Sequence, residues 1–355
     1  MAVTIREIAR QAKVHQGTAS IVLNGTRGGT RVSEDTRKRV LRVAEQLGYR
    51  PNRAAQQLRT RRSNVIGLLV GDVANPFFAR LVSLCTAALQ EAGFDSVLAM
   101  RQQNEVSDMH HLRALELRQV DGLIVWSETE TQIREWLEKA GGERNLVVLG
   151  QKVPGCDSID ASLATGTRDA LRHLLDQGCR RIAYLAPEAS LSSTGDPRPG
   201  VYRKFLEEAG LPVQVFSYAG NGNDPSVTCE RAEQIALLPP GERPDALFCF
   251  NDMTAIGALL GVRRAGLTPP GDIAIVGCDG LPLASQMDIP LSSIVYPLEE
   301  MCREAVALLK SRLEAQSDPA AAAQEPLPFR HQSLPAPLAV RASSRRLDAP
   351  LPVTG

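Results

Sequence analysis

From residue 64 onward, runs of consecutive apolar residues alternate with longer stretches of helical periodicity, and this alternation constrains the fold most. VIGLLV (65–70), DSVLAM (95–100), GLIVW (122–126) and LVVLG (146–150) form one series of candidate strands. RIAYLA (181–186), VQVFSY (213–218), ALFCF (246–250) and IAIVGCD (273–279) form a second. Helical patterns cover 77–92, 104–118, 164–177, 200–209, 226–237 and 252–265. A strand apolar at nearly every position buries both of its faces, and helices placed between such strands make the sheet parallel. Two series of about four strands predict an α/β body of two doubly wound parallel-sheet subdomains. Such sheets present ligand-binding groups at the carboxyl ends of their strands.

The first 62 residues have a different character. They hold fourteen Lys and Arg against four Asp and Glu, a net charge of +10, whereas the whole chain has 40 of each and sums to zero. A small basic head on an acidic body is the electrostatic signature of a polyanion binder; a merely solvated basic face is the plainer alternative. Thr4 and Glu7 have capping-box spacing, and Ile5, Ile8, Ala9 and Ala12 follow one helical face. After a turn at 13–15, a second helix over about 16–23 turns Ala19, Val22 and Leu23 inward. Ser33 caps a third, lined by Val40, Val43, Ala44 and Leu47, and Gly48 ends it. Two short helices joined by a tight turn in a basic segment predict a helix-turn-helix, whose second helix enters the major groove of duplex DNA. Residues 51–62 carry one large apolar side chain, Leu58, and too few residues for a helix to persist alone, so they read as a hinge.

Several classes are disfavoured. No GxGxxG, Walker A, HExxH or GxSxG motif is present, so an enzyme is not expected and neither a cofactor nor a metal is implied. The seven cysteines lack CxxC or metal-ligand spacing and sit mostly in apolar runs, as buried free thiols of a reducing cytoplasm would. The opening MAVTIREIARQAK has no apolar core of a secretory leader, and no stretch of 18 apolar residues would span a membrane. Both points weigh against a periplasmic solute-binding protein, and a nonspecific DNA-coating protein would not need so large an α/β body.

The runs VTIREIARQAKVHQGTASIVLNG, RVSEDTRKRVLRVAEQLGYRPNRAAQQLRT and NVIGLLVGDVANPFFARLV resemble the LacI/GalR (lactose-repressor) family. The likeness continues through IDASLATGTRDALRHLLDQG, FNDMTAIG and IAIVGCDG, so that it covers residues 3–343. It implies a cytoplasmic homodimeric regulator, most often a repressor, that binds a near-palindromic operator under control of a small-molecule effector. The implied domains are a helix-turn-helix at 1–50, a hinge helix at 51–62, an effector-binding and dimerisation body at 63–343, and a disordered tail at 344–355. By the same likeness, Gln16, Gly17 and Ile21 match base-reading positions. Thr18, Ser20 and Asn24 match contacts to phosphate or groove edge, although Thr18 and Ser20 also suit an ordinary helix surface, and Thr4 and Asn52 are further DNA-binding candidates. Leu58 matches a leucine wedged into the minor groove, with local packing as the alternative, and Ala55 and Arg59 match its neighbours. His15 and Ile21 stand where the family usually has serine and often arginine. Isoleucine offers only apolar contact where arginine reads guanine, so the operator half-site is expected to differ from the common one. The loop after Asn24 is longer than usual; Arg27 and Arg31 there either touch phosphate or lie in solvent.

In the body, Asp72, Arg198, Asn251, Asp252 and Asp279 match effector-binding positions. Asn251 and Asp252 equally suit a helix cap, and Phe77 and Phe78 either stack on a ligand ring or plug the core. Val201 replaces the usual glycine of the arginine motif, and Gly280 the usual aspartate after Asp279. Carboxylate, amide and guanidinium groups suit vicinal hydroxyls, which points to a sugar or sugar acid as effector, with a purine or nucleoside as the alternative.

Overall fold

The computed structural model describes residues 3–24, 32–49, 62–101, 108–127, 130–139, 145–192, 195–317 and 327–346. The chain divides into two units, Met1–Ser63 and Asn64–Gly355. In the first unit, α1 (Ile5–Gln11), α2 (Gln16–Asn24) and α3 (Glu34–Gln46) lie where the sequence periodicity places them. Ile8, Ala9, Ala12, Ala19, Val22, Val40 and Ala44 form their buried core. Thr4 Oγ1 accepts from the Glu7 amide at 3.3 Å, and Ser33 Oγ from that of Thr36 at 3.4 Å, so both helices have side-chain caps. The expected capping box is only half made, because the Glu7 carboxylate turns to Arg10 at 2.7 Å instead of back to Thr4. Lys13 makes the turn between α1 and α2 at φ 52°, and Arg39 Nε donates to Ala12 O at 2.9 Å, satisfying a carbonyl that α1 leaves unpaired.

The second unit contains two sheets. β1 (Val65–Val70), β2 (Asp95–Met100), β3 (Gly122–Trp126), β4 (Leu146–Leu149), β5 (Asp157–Ala161) and β11 (His331–Leu334) form the first. It is parallel throughout, in the order β11-β5-β4-β3-β1-β2. β6 (Ile182–Pro187), β7 (Gln214–Tyr218), β8 (Ala246–Cys249), β9 (Ala274–Asp279), β10 (Ser292–Val295) and β12 (Leu338–Ala339) form the second, ordered β12-β10-β9-β8-β6-β7. Only its edge strand β12 runs antiparallel.

Among the described residues each sheet thus has six strands where about four were expected. The additional ones carry polar residues whose burial the fold makes tolerable. In β5, Asp157 is 1% exposed, held by the Arg312 guanidinium and by the Arg330 amide at 2.8 Å. In β10, the buried Ser292 amide donates to Ser343 Oγ at 2.8 Å.

On the first sheet, α4 (Pro76–Glu91) and α12 (Leu298–Ser317) cover one face. The other is covered by α5 (Asp108–Leu117) and α6 (Glu130–Lys139). On the second, α7 (Leu163–Asp176) packs with α9 (Arg198–Glu208), and α10 (Pro225–Ala236) with α11 (Asp252–Arg264); the short α8 (Glu188–Leu191) follows β6. Gly257 and Gly261 let α11 lie against α10, since a Cβ at either would overlap the backbone of the facing helix. The helices at 130–139 and 298–317 were not anticipated, and the second carries the chain back to the first sheet.

The chain crosses between the sheets three times, after β5, β10 and β11. The expected disordered tail from residue 344 is corrected at its start. Ser344 is buried with Oγ 2.7 Å from Ser292 Oγ, and Arg346 donates to Asp245 O at 2.8 Å and to Pro270 O at 3.1 Å. Among the described residues, no helix is long and apolar enough to cross a membrane.

Candidate functional site

In the basic head, Ala19 and Val22 turn one side of α2 into the core. Gln16 and Gly17 are exposed at its first turn, while Thr18, Ser20 and Ile21 are half-buried along its length; Asn24 ends the helix. Thr4, exposed, caps α1. His15 has a definite role: its Nδ1 accepts from the Gly17 amide at 3.2 Å, satisfying a donor at the start of α2 as a capping serine would. Asn52, Ala55, Leu58 and Arg59, with Arg27 and Arg31, lie outside the described residues.

In the body, a cleft of about 770 Å³ opens at the carboxyl ends of the strands of both sheets. Asp72, Phe77, Phe78, Arg198, Asn251 and Asp279, six of the seven expected positions, line it together. Asp252 does not. Its carboxylate accepts from Ser293 Oγ at 2.6 Å and from the Leu281 amide at 2.7 Å, strapping the start of α11 to the segment after β9. Asp252 is thus a structural tie and neither lines the cleft nor caps the helix, a role that Asn251 fills, and burial pushes its carboxyl up to about 6. Asn251 does both: Oδ1 accepts from the Thr254 amide at 2.8 Å while the residue also faces the cleft.

Arg198 is the charge around which one wall is built. It is 7% exposed, with Nε donating to Asp196 Oδ1 at 2.8 Å, Nη1 donating to the Phe250 carbonyl, and the guanidinium 4.3 Å from the Phe250 ring centre. Burial works against its charge, and the adjoining Asp196 carboxylate more than offsets this, so the guanidinium stays protonated. Asp279, at the end of β9, has φ 138°, a backbone region costly for a residue with a Cβ. Burial, then the nearby Asp252 charge, push its carboxyl well above the usual carboxylate range. Asp196 Oδ2 and Asp279 Oδ2 are buried without a protein hydrogen-bond partner, and the neutral Asp279 carboxyl can donate as well as accept there.

The opposite wall is aromatic and amide. Phe77 packs into the core, 4% exposed and meeting Trp126 at 4.9 Å and Tyr296 at 5.0 Å, and it also forms part of the lining. Asn75 caps α4 by accepting from the Phe77 amide at 2.9 Å, and its Nδ2 donates across the cleft to Asn223 Oδ1 at 2.7 Å. Asn75, Arg101, Trp126, Gln151, Asp196, Asn223 and Tyr296 escaped sequence reasoning. Trp126, Arg101 and Gln151 do carry a signal, since each stands at or just past the end of a first-sheet strand.

Two family models match this chain. One, for bacterial regulatory proteins of the lacI family, covers residues 4–52, and one for a periplasmic binding protein-like domain covers 171–344. The HTH-type transcriptional repressor PurR of Photobacterium profundum is 31% identical over 319 residues, spanning 88% of this chain and 92% of its own.

The chain belongs to the lacI family of bacterial regulatory proteins.

This LacI-family regulator is also 33% identical over 330 residues to the HTH-type transcriptional regulator CelR of Thermobifida fusca, covering 88% of the chain and 93% of CelR. Among solved structures, the Lac repressor dimer bound to operator and the anti-inducer ONPF superimposes with a TM-score of 0.79. That match has 25% identity and covers 97% of this chain and 99% of that one. A CelR–cellobiose complex matches with a TM-score of 0.64 at 29% identity, over 96% and 99% of the two chains. The expected architecture, a helix-turn-helix head with a periplasmic-binding-protein-like α/β body, is that of the family, and its relatives are transcriptional regulators.

Proposed function

We propose that the protein is a cytoplasmic, homodimeric transcriptional repressor whose affinity for a near-palindromic operator is set by a carbohydrate bound in the cleft between its two sheets. The observation that carries the ligand class is the pairing of two partnerless buried carboxyl oxygens, on Asp196 and Asp279, with an aromatic wall. Hydroxyls of a sugar both donate and accept, which suits such groups, and its apolar face lies on Trp126 or Phe78. The rings of this wall meet edge to face, Phe77 with Phe78 at 83° and Phe78 with Trp126 at 80°. Arg198 is already compensated by Asp196, so its own charge offers little to an acidic group, while Arg101 also lines the cleft and keeps a sugar acid among the ligands to be tested. The relatives resolved with sugars, CelR with cellobiose and a Lactobacillus casei regulator with sucrose or glucose, agree with this class.

In the head, Gln16 and Ile21 reach base edges, Gly17 holds a base-reading position without a side chain to reach one, Thr18, Ser20 and Asn24 lie on phosphate or groove edge, and Thr4 is a further DNA contact. Asn52, Ala55, Leu58 and Arg59 form the hinge contacts. Ligand in the cleft changes the relation of the two subdomains and hence the spacing of the paired hinges, so that effector and operator affinities are linked. The deciding experiment is a thermal-shift screen of the full-length protein against neutral sugars, sugar acids and nucleosides. A true effector at 100 times its Kd stabilises by about 2.7 kcal/mol. Stabilisation by nucleosides alone would overturn the carbohydrate assignment.

A further inference from the structure

Two cysteines of the first subdomain lie apart from the cleft lining and meet each other. Cys85 sits midway along α4 and Cys302 near the start of α12, two helices that share one face of the first sheet. Their sulfurs are 3.0 Å apart, with the Cys85 thiol donating to Cys302 Sγ and the Cys302 thiol directed at Leu81 O, 3.8 Å away. The residues are 2% and 1% exposed, and among the described residues no other pair of cysteines is within hydrogen-bonding reach. A disulfide has its sulfurs about 2.05 Å apart, so closure requires an approach of about 1 Å, within the range of side-chain rotation.

We propose that Cys85 and Cys302 form a modification site, a dithiol that a small hydroperoxide converts into a disulfide stapling α4 to α12. The Cys85 sulfur attacks the O–O bond of hydrogen peroxide, giving a sulfenic acid and one water. The Cys302 sulfur then displaces the hydroxyl from that sulfenic acid, its proton leaving with the hydroxyl as a second water. Two thiols are oxidised and one peroxide is reduced. Burial selects the oxidant, since a compact uncharged peroxide can enter where a peptide disulfide such as oxidised glutathione cannot. The hydrogen bond with Cys85, and then burial, push the Cys302 thiol up, which makes the pair slow to react. Position gives the link its interest. α4 begins with the cleft residues Asn75, Phe77 and Phe78, and α12 begins just past Tyr296, so the bond would tie one cleft wall to a crossover.

The test treats the reduced full-length protein with hydrogen peroxide, blocks remaining thiols, and maps peptides by mass spectrometry. The expected result is a peptide pair joined through Cys85 and Cys302, lighter by two hydrogens and restored by dithiothreitol. Because the two cysteines are 217 residues apart, the bond constrains a long loop of the unfolded chain, so oxidised protein should melt at a higher Tm. C85S and C302A, treated identically, should lack both the joined pair and the Tm increase. Linkage of other cysteines, sulfinic acid at Cys85 or Cys302 without a link, or the same Tm increase in C85S would overturn the proposal. The peptide map of the unmutated protein decides the matter even if a variant folds poorly.

Discussion

The head and the cleft solve recognition in opposite ways. The head presents Gln16 and Gly17 outward from the first turn of one helix, and seven buried side chains hold that helix in place. The cleft takes its groups from the ends of strands in two sheets and buries their charges, so each group depends on its neighbours for its state. An exposed reading face can change one residue at a time with little effect on folding. A buried polar cluster cannot, because losing one member leaves another desolvated and unpaired.

The sharpest break in this contrast should come from Arg198→Ala. It strands Asp196 in a buried site, with an expected cost of about 3–5 kcal/mol. The Tm of the body should fall and ligand-induced stabilisation disappear in calorimetry, while the helical signal of the head persists. Next, Ile8→Ala empties the centre of the small three-helix core at about 2–5 kcal/mol. Operator binding in a mobility-shift assay should be lost, and sugar binding retained. If both variants abolished both activities, the division of labour between the regions would be wrong.

A smaller effect is expected at His15, where alanine removes the acceptor for the Gly17 amide at about 1 kcal/mol, roughly a fivefold loss of operator affinity. His15→Ser should recover most of it, since a hydroxyl can cap the same amide. A further test is titration of Asp252. Its carboxyl is raised by burial to about 6 from the usual value near 4. The folded protein therefore binds a proton that the unfolded chain has released, and this contribution to stability, full below pH about 4, is lost as pH rises to about 6. Urea denaturation across that window should show the slope in the unmutated protein and a shallower one in Asp252→Asn.

How much could be read beforehand follows from the same contrast. The strands at 65–70, 122–126 and 274–279 were legible because parallel strands buried on both faces read as apolar runs. The strand at 157–161 was not, since its Asp157 is buried only by virtue of Arg312, 155 residues away. Likewise Asp252 and Asp279 look alike as carboxylates after apolar runs. Only the position of Ser293 and Leu281 shows that the first is already satisfied and the second is not.

Periodicity, capping residues and charge distribution, all local properties of the chain, determined the three-helix head, the alternating α/β body and the ends of most elements. Tertiary structure alone decided that α12 and β11 belong with the first sheet, which carboxyl groups keep an open oxygen, and that Asn75 reaches Asn223 across the cleft. Those outcomes depend on which distant groups become neighbours and how far water is excluded between them, and neither is encoded in any short window of sequence.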